Sequence, residues 1–176
     1  HLGIPCVLKR PDSSFSQGVI KVSDPAKLEA ELDQFLERSD LVIAQEFLPS
    51  AFDWRIGVLD RKALFACRYH MLKGHWQIVG TDKKGERDFG KVEAVPLDLV
   101  PKKVISTAVR AANLIGDGLY GVDLKQLDNR VCVMEINDNP NVDHGYEDVI
   151  MGDGLFIAIM QSLMDRVKRI KEGKAT

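Results

Sequence analysis

The sequence has few cysteines, and they lie far apart. Cys6, Cys67 and Cys132 are odd in number and each falls in a strand-like apolar run. Disulfide frameworks and zinc sites need cysteines in even or closely spaced sets. We therefore expect three reduced thiols in the core, which favours a reducing, cytoplasmic setting.

The sequence also lacks a long apolar run and a strong charge of one sign. No segment approaches the roughly 20 apolar residues of a membrane-spanning helix, and we expect no signal peptide at the start. The net charge is only −2, without the basic excess of a nucleic-acid-binding protein. We expect neither a membrane nor a nucleic acid among the partners.

What the chain does contain is enough apolar residue, 45%, to bury a sizeable core. Its hydrophobic periods alternate between strands and helices, and paired strands across short turns imply antiparallel pairing, so the predicted class is α+β. A polar stretch over 73–91 predicts a long loop. The predicted strands are 6–10, 18–22, 41–47 (a buried strand), 54–60, 63–69, 119–127 and 130–137, and the predicted helices are 23–39, 101–118 and 154–172.

The stretch VMEINDNPN (133–141) begins as a strand and then fills with oxygen-bearing side chains. Alternate residues of a strand share a face, so Glu135 and Asn137 point the same way. The opposite face is predicted to pack in the core. It carries Cys132, Met134 and Ile136.

The preceding strand brings a second carboxylate to this face. If 128–130 form the connecting loop, Asp123 lies directly opposite Glu135, and directly opposed side chains share a face. A two-residue loop would instead place Asp123 opposite Met134, on the wrong face. A paired carboxylate site therefore predicts an odd-numbered loop.

Two facing carboxylates repel each other unless a positive group lies between them. A hard divalent cation would fill that place, with the Asn137 amide as a third oxygen ligand. The alternative is an exposed hairpin face whose acids are hydrated. In that case Lys125, on the same face, would neutralise part of their charge.

Lys9 lies in an apolar strand and could extend its ammonium group to a phosphate. The loop that follows, SSFSQG (13–18), offers hydroxyls and free backbone N–H groups that suit anionic oxygens. The alternative is a lysine that lies on a wet face of the strand. Neither a Walker GxxxxGK[ST] motif nor a GxGxxG turn is present, so the two commonest nucleotide motifs are excluded.

A strand that ends in QEFL (45–48) leaves backbone groups unpaired before Pro49, and these could bind an adenine edge. Downstream, Asp53 could bind ribose hydroxyls and Arg55 a phosphate or carboxylate. The alternative is that Glu46 and Asp53 are surface acids, with Arg55 paired to one of them.

In this order, these segments resemble the ATP-grasp superfamily, and within it the RimK-like carboxylate–amine ligases. GVDL and MEINDNP, at their mutual distance, carry most of the resemblance. It implies an α+β ATP-grasp fold that holds a nucleotide between two antiparallel sheets. Residues 1–48 would form the N-terminal subdomain and residues 49–176 the C-terminal one with the metal site. The matching segments are 4–19, 41–58, 64–69, 116–127 and 131–148.

The resemblance also implies a role for individual residues. Asp123, Glu135 and Asn137 would hold Mg²⁺ or Mn²⁺. Arg55 and Arg68 would be catalytic and would steady the γ-phosphate or the acyl phosphate. ATP would be held by Lys9, Ser14, Gly18, Glu46, Phe47, Leu48 and Asp53.

The implied reaction activates a carboxylate as an acyl phosphate and transfers it to an amine. The substrate would be an amino acid, a peptide or a protein tail. Gln77 stands where the family is expected to carry an arginine that helps to bind nucleotide and substrate. Gln77 would therefore contact substrate, and glutamate is not assumed. His75 and Trp76 would be core-edge aromatics or a wall of the acceptor pocket, and Asn141 would touch substrate.

Such ligases carry a preceding domain, so we expect this chain to be part of a longer protein. A homo-oligomer is also compatible with the sequence. Two alternatives stay open. INDNP (136–140) also resembles the calcium linker of cadherin repeats, which would make the chain an extracellular adhesion module, although the predicted helices argue against it. The other alternative is an ATP-grasp domain that binds nucleotide without ligating.

Overall fold

The computed structural model describes residues 2–11, 18–81 and 87–173. Ser14, a predicted ATP-binding residue, lies outside these ranges. The ten strands and three helices that the structure describes are numbered in chain order. They are β1 (Cys6–Lys9), β2 (Val19–Val22), α1 (Pro25–Leu36), β3 (Ile43–Glu46), β4 (Phe52–Leu59), β5 (Lys62–His70), β6 (Val79–Thr81), β7 (Arg87–Phe89), β8 (Val92–Ala94), α2 (Lys102–Asn113), β9 (Tyr120–Leu127), β10 (Arg130–Asn137) and α3 (Asp153–Lys171).

The chain divides into two units. Unit 1 comprises residues 1–49 and 79–88, and unit 2 comprises residues 50–78 and 89–176. The subdomain boundaries of the sequence analysis stay a prediction. Within the described ranges, no helix has both the length and the apolar character needed to cross a membrane.

Unit 1 contains a three-stranded antiparallel sheet in the order β2-β1-β3, with α1 packed on one face. The helix begins where it does because the Asp24 side chain accepts a hydrogen bond from the Ala26 N–H at 3.0 Å, and Pro25 fits the first turn. Leu8 of β1 is fully buried with Phe35 of α1. The predicted burial of the third strand is wrong, because β3 pairs with β1 along one edge and Ile43 is exposed.

Unit 2 is built on a five-stranded antiparallel sheet in the order β10-β9-β4-β5-β8. One face packs on α2, where Trp54 and Ile56 of β4 meet Val104 and Ala108. The other face is partly covered by α3, whose Leu155 packs on Phe65 and Cys67 of β5.

Arg166 ties α3 to two turns of unit 2. Its guanidinium donates to Asp60 at 2.8 Å and to Asp117 at 2.9 Å. Asp60 lies in the tight β4–β5 turn and Asp117 in the segment between α2 and β9. These bonds fix which side of the helix faces the sheet.

The predicted α+β class is confirmed, and so are all three helices and the paired strands. The polar stretch 73–91 is not one long loop, because β6 and β7 within it pair in a two-stranded sheet. The three cysteines are free and lie in β1, β5 and β10, as expected.

Candidate active site

The candidate site lies on the face of the unit 2 sheet that is opposite α2. Along β4, Trp54 and Ile56 point to α2, so Arg55 between them points to the other face. Strand pairing places Asp123 of β9 directly opposite Arg55, and Glu135 of β10 directly opposite Asp123. Three neighbouring strands thus bring an arginine and two carboxylates into one row.

Asp123 lies opposite Glu135 as the sequence analysis predicted, but the cause differs from the predicted one. Arg130 pairs with Leu127, so the connecting loop has two residues and the predicted odd-numbered loop is wrong. A β-bulge between Val133 and Glu135 inserts Met134 as an extra residue and restores the predicted opposition.

The same bulge reverses the orientation of the residues before it. Cys132 pairs with Lys125, and Lys125 shares the face of Asp123, so Cys132 lies on the site face. Its predicted packing in the core is therefore wrong, whereas Val133 and Ile136 pack against the core as the alternation now requires. Asn137 stays on the site face, with its Nδ2 3.4 Å from Asp123 Oδ2.

Arg55 and Asp123 form a two-point ion pair at the centre of the face. Arg55 Nε donates to Asp123 Oδ1, and Nη2 donates to Oδ2 at 2.8 Å. The two side chains are only 13% and 19% exposed. Burial opposes the charge of the guanidinium, but the Asp123 carboxylate outweighs it and raises the pKa of Arg55 above its ordinary value. The sequence alternative that paired Arg55 with Glu46 or Asp53 is wrong.

A glycine makes room for this pair. A methyl group on Gly121, which faces the site two residues before Asp123, would lie 2.7 Å from Pro140 Cβ and 3.2 Å from Arg55 Cδ. Both distances are below ordinary van der Waals contact. The glycine lets Pro140, buried at the end of the Asn-Pro turn, close over the sheet beside the guanidinium.

Lys125 and Asp53 form a second ion pair on the same face. Lys125 Nζ lies 2.6 Å from Asp53 Oδ1 and 2.6 Å from Ser50 Oγ, and Ser50 Oγ donates to the same carboxylate oxygen at 3.0 Å. Burial raises the pKa of Asp53, although Lys125 and Ser50 act in the opposite direction. Lys125 therefore neutralises Asp53, and the predicted ribose role of Asp53 remains a prediction.

Two residues that the sequence analysis missed hold Arg55 from the other side. The guanidinium carbon lies 5.0 Å from the centre of the Tyr69 ring. The Tyr69 hydroxyl donates to Glu147, whose second oxygen accepts from the Asp143 N–H at 2.7 Å. Glu147 is only 2% exposed. Glu147 is one of several acids in the segment after the Asn-Pro turn, and no sequence signal sets it apart from the others.

Arg68 does not join the site. It pairs with Trp54 across β4 and β5, so it lies on the α2 face, opposite to Arg55. Its guanidinium carbon lies 4.9 Å from the centre of the Trp54 ring and 5.1 Å from the centre of the Phe52 ring. Its Nη1 lies 3.6 Å from Glu93 Oε1. Arg55 and Arg68 therefore lie on opposite faces of the sheet, and the predicted catalytic role of Arg68 stays a prediction.

In unit 1, Lys9 lies on the face of the sheet away from α1, because the neighbouring Leu8 is buried on the α1 face. Lys21 of β2 pairs with Val7, so it shares that face with Lys9, and its Nζ lies 3.7 Å from the centre of the Phe47 ring. Sequence reasoning did not select Lys21. Lys21 places a second cation on the same face of the sheet as Lys9, the predicted phosphate-binding lysine.

The other predicted ATP-binding residues of unit 1 lie at the ends of its strands. Gly18 opens β2 in a left-handed conformation (φ 65°), and its carbonyl accepts from the Arg10 N–H at 3.0 Å. Glu46 pairs with Cys6 at the end of β3, and Leu48 beyond it is buried. The predicted roles of Glu46 and Leu48 toward adenine, and of Gly18 in the loop over the phosphates, remain predictions.

The three residues assigned to substrate lie in turns of unit 2. The His75 N–H donates to the Leu72 carbonyl at 2.8 Å, and the Gln77 carbonyl accepts from the Leu72 N–H at 3.1 Å. Asn141 is exposed and donates to Asp143 Oδ2 at 2.9 Å. These contacts show how the turns are held, and the substrate roles remain predictions.

The oxygen atoms of Asp123, Glu135 and Asn137 fit a hard divalent cation by their chemistry. Two carboxylates and an amide match the preference of Mg²⁺ and Mn²⁺ for oxygen ligands. Over the described part of the chain, no set of three or more His, Cys, Asp or Glu side chains is arranged for a metal, so the amide has to complete this set. Any cation here would share Asp123 with Arg55.

Comparison with known proteins identifies the family. The family model of the RimK-like ATP-grasp domain matches residues 1–159. The chain belongs to the RimK-like ATP-grasp family. A probable alpha-L-glutamate ligase of Vibrio parahaemolyticus is 28% identical over 160 residues, which cover 90% of this chain and 49% of that protein. The chain thus spans about half the length of the curated relatives it matches.

Solved structures show the same ATP-grasp fold. A D-alanine–D-alanine ligase from Bacillus anthracis, in complex with ATP, superposes with a TM-score of 0.66 at 17% identity, covering 99% of this chain and 55% of that chain. The ATP-grasp ligase PsnB, in complex with a precursor variant, Mg and ADP, gives a TM-score of 0.60 at 23% identity, covering 92% of this chain and 47% of PsnB. The predicted ATP-grasp fold and the RimK-like resemblance are both confirmed.

Proposed function

We propose that this chain is the nucleotide- and metal-binding part of an ATP- and Mg²⁺-dependent carboxylate–amine ligase that forms an acyl phosphate. One observation carries the proposal. The sheet of unit 2 aligns Arg55, Asp123 and Glu135 in one row, with Asn137 beside them. A positive group next to a set of hard oxygen ligands is what the transfer of a phosphoryl group to a carboxylate requires.

Arg55 would stabilise the negative charge that develops on the transferring phosphoryl oxygens. Asp123 holds it through two hydrogen bonds and the Tyr69 ring limits it on another side, so its charge is already oriented before substrate binds. Lys9 of unit 1, together with Lys21 on the same face, would contact the phosphates of ATP. When bound, Mg²⁺ would supply further charge neutralisation at the phosphates through Asp123, Glu135 and Asn137.

The two steps follow from the chemistry of the groups. A carboxylate oxygen attacks the γ-phosphorus and ADP leaves, which makes a mixed anhydride. The amine nitrogen then attacks the acyl carbon, the bond from that carbon to the phosphate oxygen breaks, and inorganic phosphate leaves while the amine loses a proton to solvent. Closure of the site would exclude water, which would otherwise hydrolyse the anhydride.

The substrate that we propose is an amino acid, a peptide or a protein tail, and a further domain of the same protein would complete its site. The relatives that are named glutamate ligases favour an amino acid as the amine. Gln77 stands where an arginine was expected, so we do not extend their substrate to this chain. The alternative of an adhesion module is wrong, because the described residues include the three α-helices and the chain belongs to the RimK-like ATP-grasp family.

Two measurements test the proposal. For this chain, ATP with Mg²⁺ should raise the melting temperature, whereas ATP with a chelator should not. For the whole protein, phosphate release should require both a carboxylate and an amine, tested over a panel of amino acids and peptides. Phosphate release that does not depend on the amine would instead support a nucleotide-binding domain that does not ligate. If ATP and Mg²⁺ do not stabilise the chain, the proposal is contradicted.

A further inference from the structure

The last helix of unit 2 exposes a stripe of large apolar side chains. α3 faces the sheet through Leu155, which is fully buried, and Arg166 fixes this orientation through Asp60 and Asp117. Away from the sheet, six apolar residues of α3 are between 46% and 66% exposed. These residues, called the α3 stripe below, are Ile157, Met160, Leu163, Met164, Val167 and Ile170.

The spacing of the α3 stripe is that of a helix that packs along a second helix. Ile157, Met160, Met164 and Val167 alternate by three and four residues, which is the a/d pattern of a two-helix seam. The remaining two residues widen the seam on one side. The stripe is about 20 Å long, at 1.5 Å per residue. Soluble proteins rarely expose a continuous apolar patch of this kind unless a partner covers it.

We infer that the α3 stripe joins two copies of this chain, with the two α3 helices antiparallel. The charges of the helix select this occupant and this direction. Asp153 lies in the first turn, and Lys168 and Lys171 lie in the last turn. An antiparallel pair sets each Asp153 beside the basic end of the partner helix and opposes the two helix dipoles. A parallel pair would bring the basic ends together, which costs free energy.

A self-complementary stripe of this kind suits a two-fold axis, because the same patch then serves both copies. With Leu163 and Met164 near the axis, Ile157 meets Ile170 of the other copy, and Met160 meets Val167. The contact is one helix face wide and belongs to the small class of interfaces. We therefore expect a weak dimer whose population depends on protein concentration.

Sedimentation velocity of the whole chain tests the dimer directly. From about 1 to 200 µM, the mass should rise from 19.6 kDa toward twice that value. Val167→Asp should raise the dissociation constant at least about tenfold, because it places a charge in the seam. Leu99→Asp is the matched control, since Leu99 is 68% exposed and lies outside the stripe.

Charge reversal tests the direction of the helices. Asp153→Lys and Lys171→Asp should each weaken the dimer, and the two together should restore it, because the paired charges are exchanged across the interface. Circular dichroism should stay unchanged in every variant, since all these side chains are exposed. A chain that stays monomeric over the whole range, which would leave the stripe to another domain, overturns the inference. A dimer whose dissociation constant does not change with Val167→Asp also overturns the inference. If the double variant dimerises no more tightly than the single variants, the antiparallel arrangement is overturned.

Discussion

The two carboxylates proposed to bind metal lie in different surroundings, so their removal should have different effects on stability. Asp123 is 19% exposed and neutralises the 13% exposed Arg55, whereas Glu135 is exposed. Asp123→Asn would leave the guanidinium without its counter-ion. Breaking a fully buried pair costs about 3–5 kcal/mol. Because both side chains keep some contact with water, we expect the free energy of unfolding to fall by about 2–4 kcal/mol.

Glu135→Gln should separate metal binding from stability. Substitution of an exposed side chain changes the free energy of unfolding by about 0.5 kcal/mol or less. In the wild-type chain, ATP and Mg²⁺ at about 100 times the dissociation constant should add about 2.7 kcal/mol. For a chain of this size that corresponds to a rise in melting temperature of about 5–10 °C. We expect Glu135→Gln to keep the melting temperature of the free chain and to lose most of this rise.

The assay is thermal unfolding with and without ATP, Mg²⁺ and a chelator, with urea unfolding to obtain free energies. Glu29→Gln in α1 serves as the control, because it removes an exposed carboxylate far along the chain from the site. If Glu135→Gln keeps the full rise, Glu135 is not a metal ligand. If Asp123→Asn leaves the free chain as stable as wild type, the account of the Arg55 ion pair is refuted.

Three further predictions follow from the structure. Gly121→Ala should lower the free energy of unfolding by about 1–3 kcal/mol in urea, because the methyl group overlaps Pro140; an unchanged value would contradict the packing. Arg68→Ala should cost about 1 kcal/mol and leave the stabilisation by ATP and Mg²⁺ intact, and loss of that stabilisation would return Arg68 to the site. Burial raises the pKa of Cys67 to about 12, so this thiol stays protonated at every pH below that value. At pH 8 a thiol reagent followed by mass spectrometry should therefore label the half-buried Cys132 first, and earlier labelling of Cys67 would show the pKa to be wrong.

The helices and most strands could be predicted from the sequence because their signals are local. Asp24 and Pro25 mark the start of α1, and the apolar periods of α2 and β9 depend only on neighbours along the chain. The short strands β6 and β7 could not be predicted in the same way. They lie in a polar stretch with little hydrophobic alternation.

The residue types of the candidate site were also readable from the sequence, but the partners were not. Asp123, Glu135 and Asn137 lie in one hairpin, so their proximity follows from chain order. The bonds of Arg55 to Asp123, and of Tyr69 to Glu147, join residues 68 and 78 positions apart. Such contacts depend on which strands are neighbours in the sheet.

Two β-bulges determined which side chains share the site face of the sheet. With regular pairing from the two-residue turn of β9 and β10, Asp123 would face Met134, but the bulge places it opposite Glu135. With regular pairing from the turn of β4 and β5, Arg68 would share a face with Arg55, but the bulge at Gly57 pairs it with Trp54 on the opposite face.

The sequence by itself thus determined which strands and helices form and which chemical groups the site strands carry. The tertiary structure alone decided which of those groups share a face. The physical reason is the two-residue period of a strand, because one inserted residue turns every side chain beyond it to the other side of the sheet.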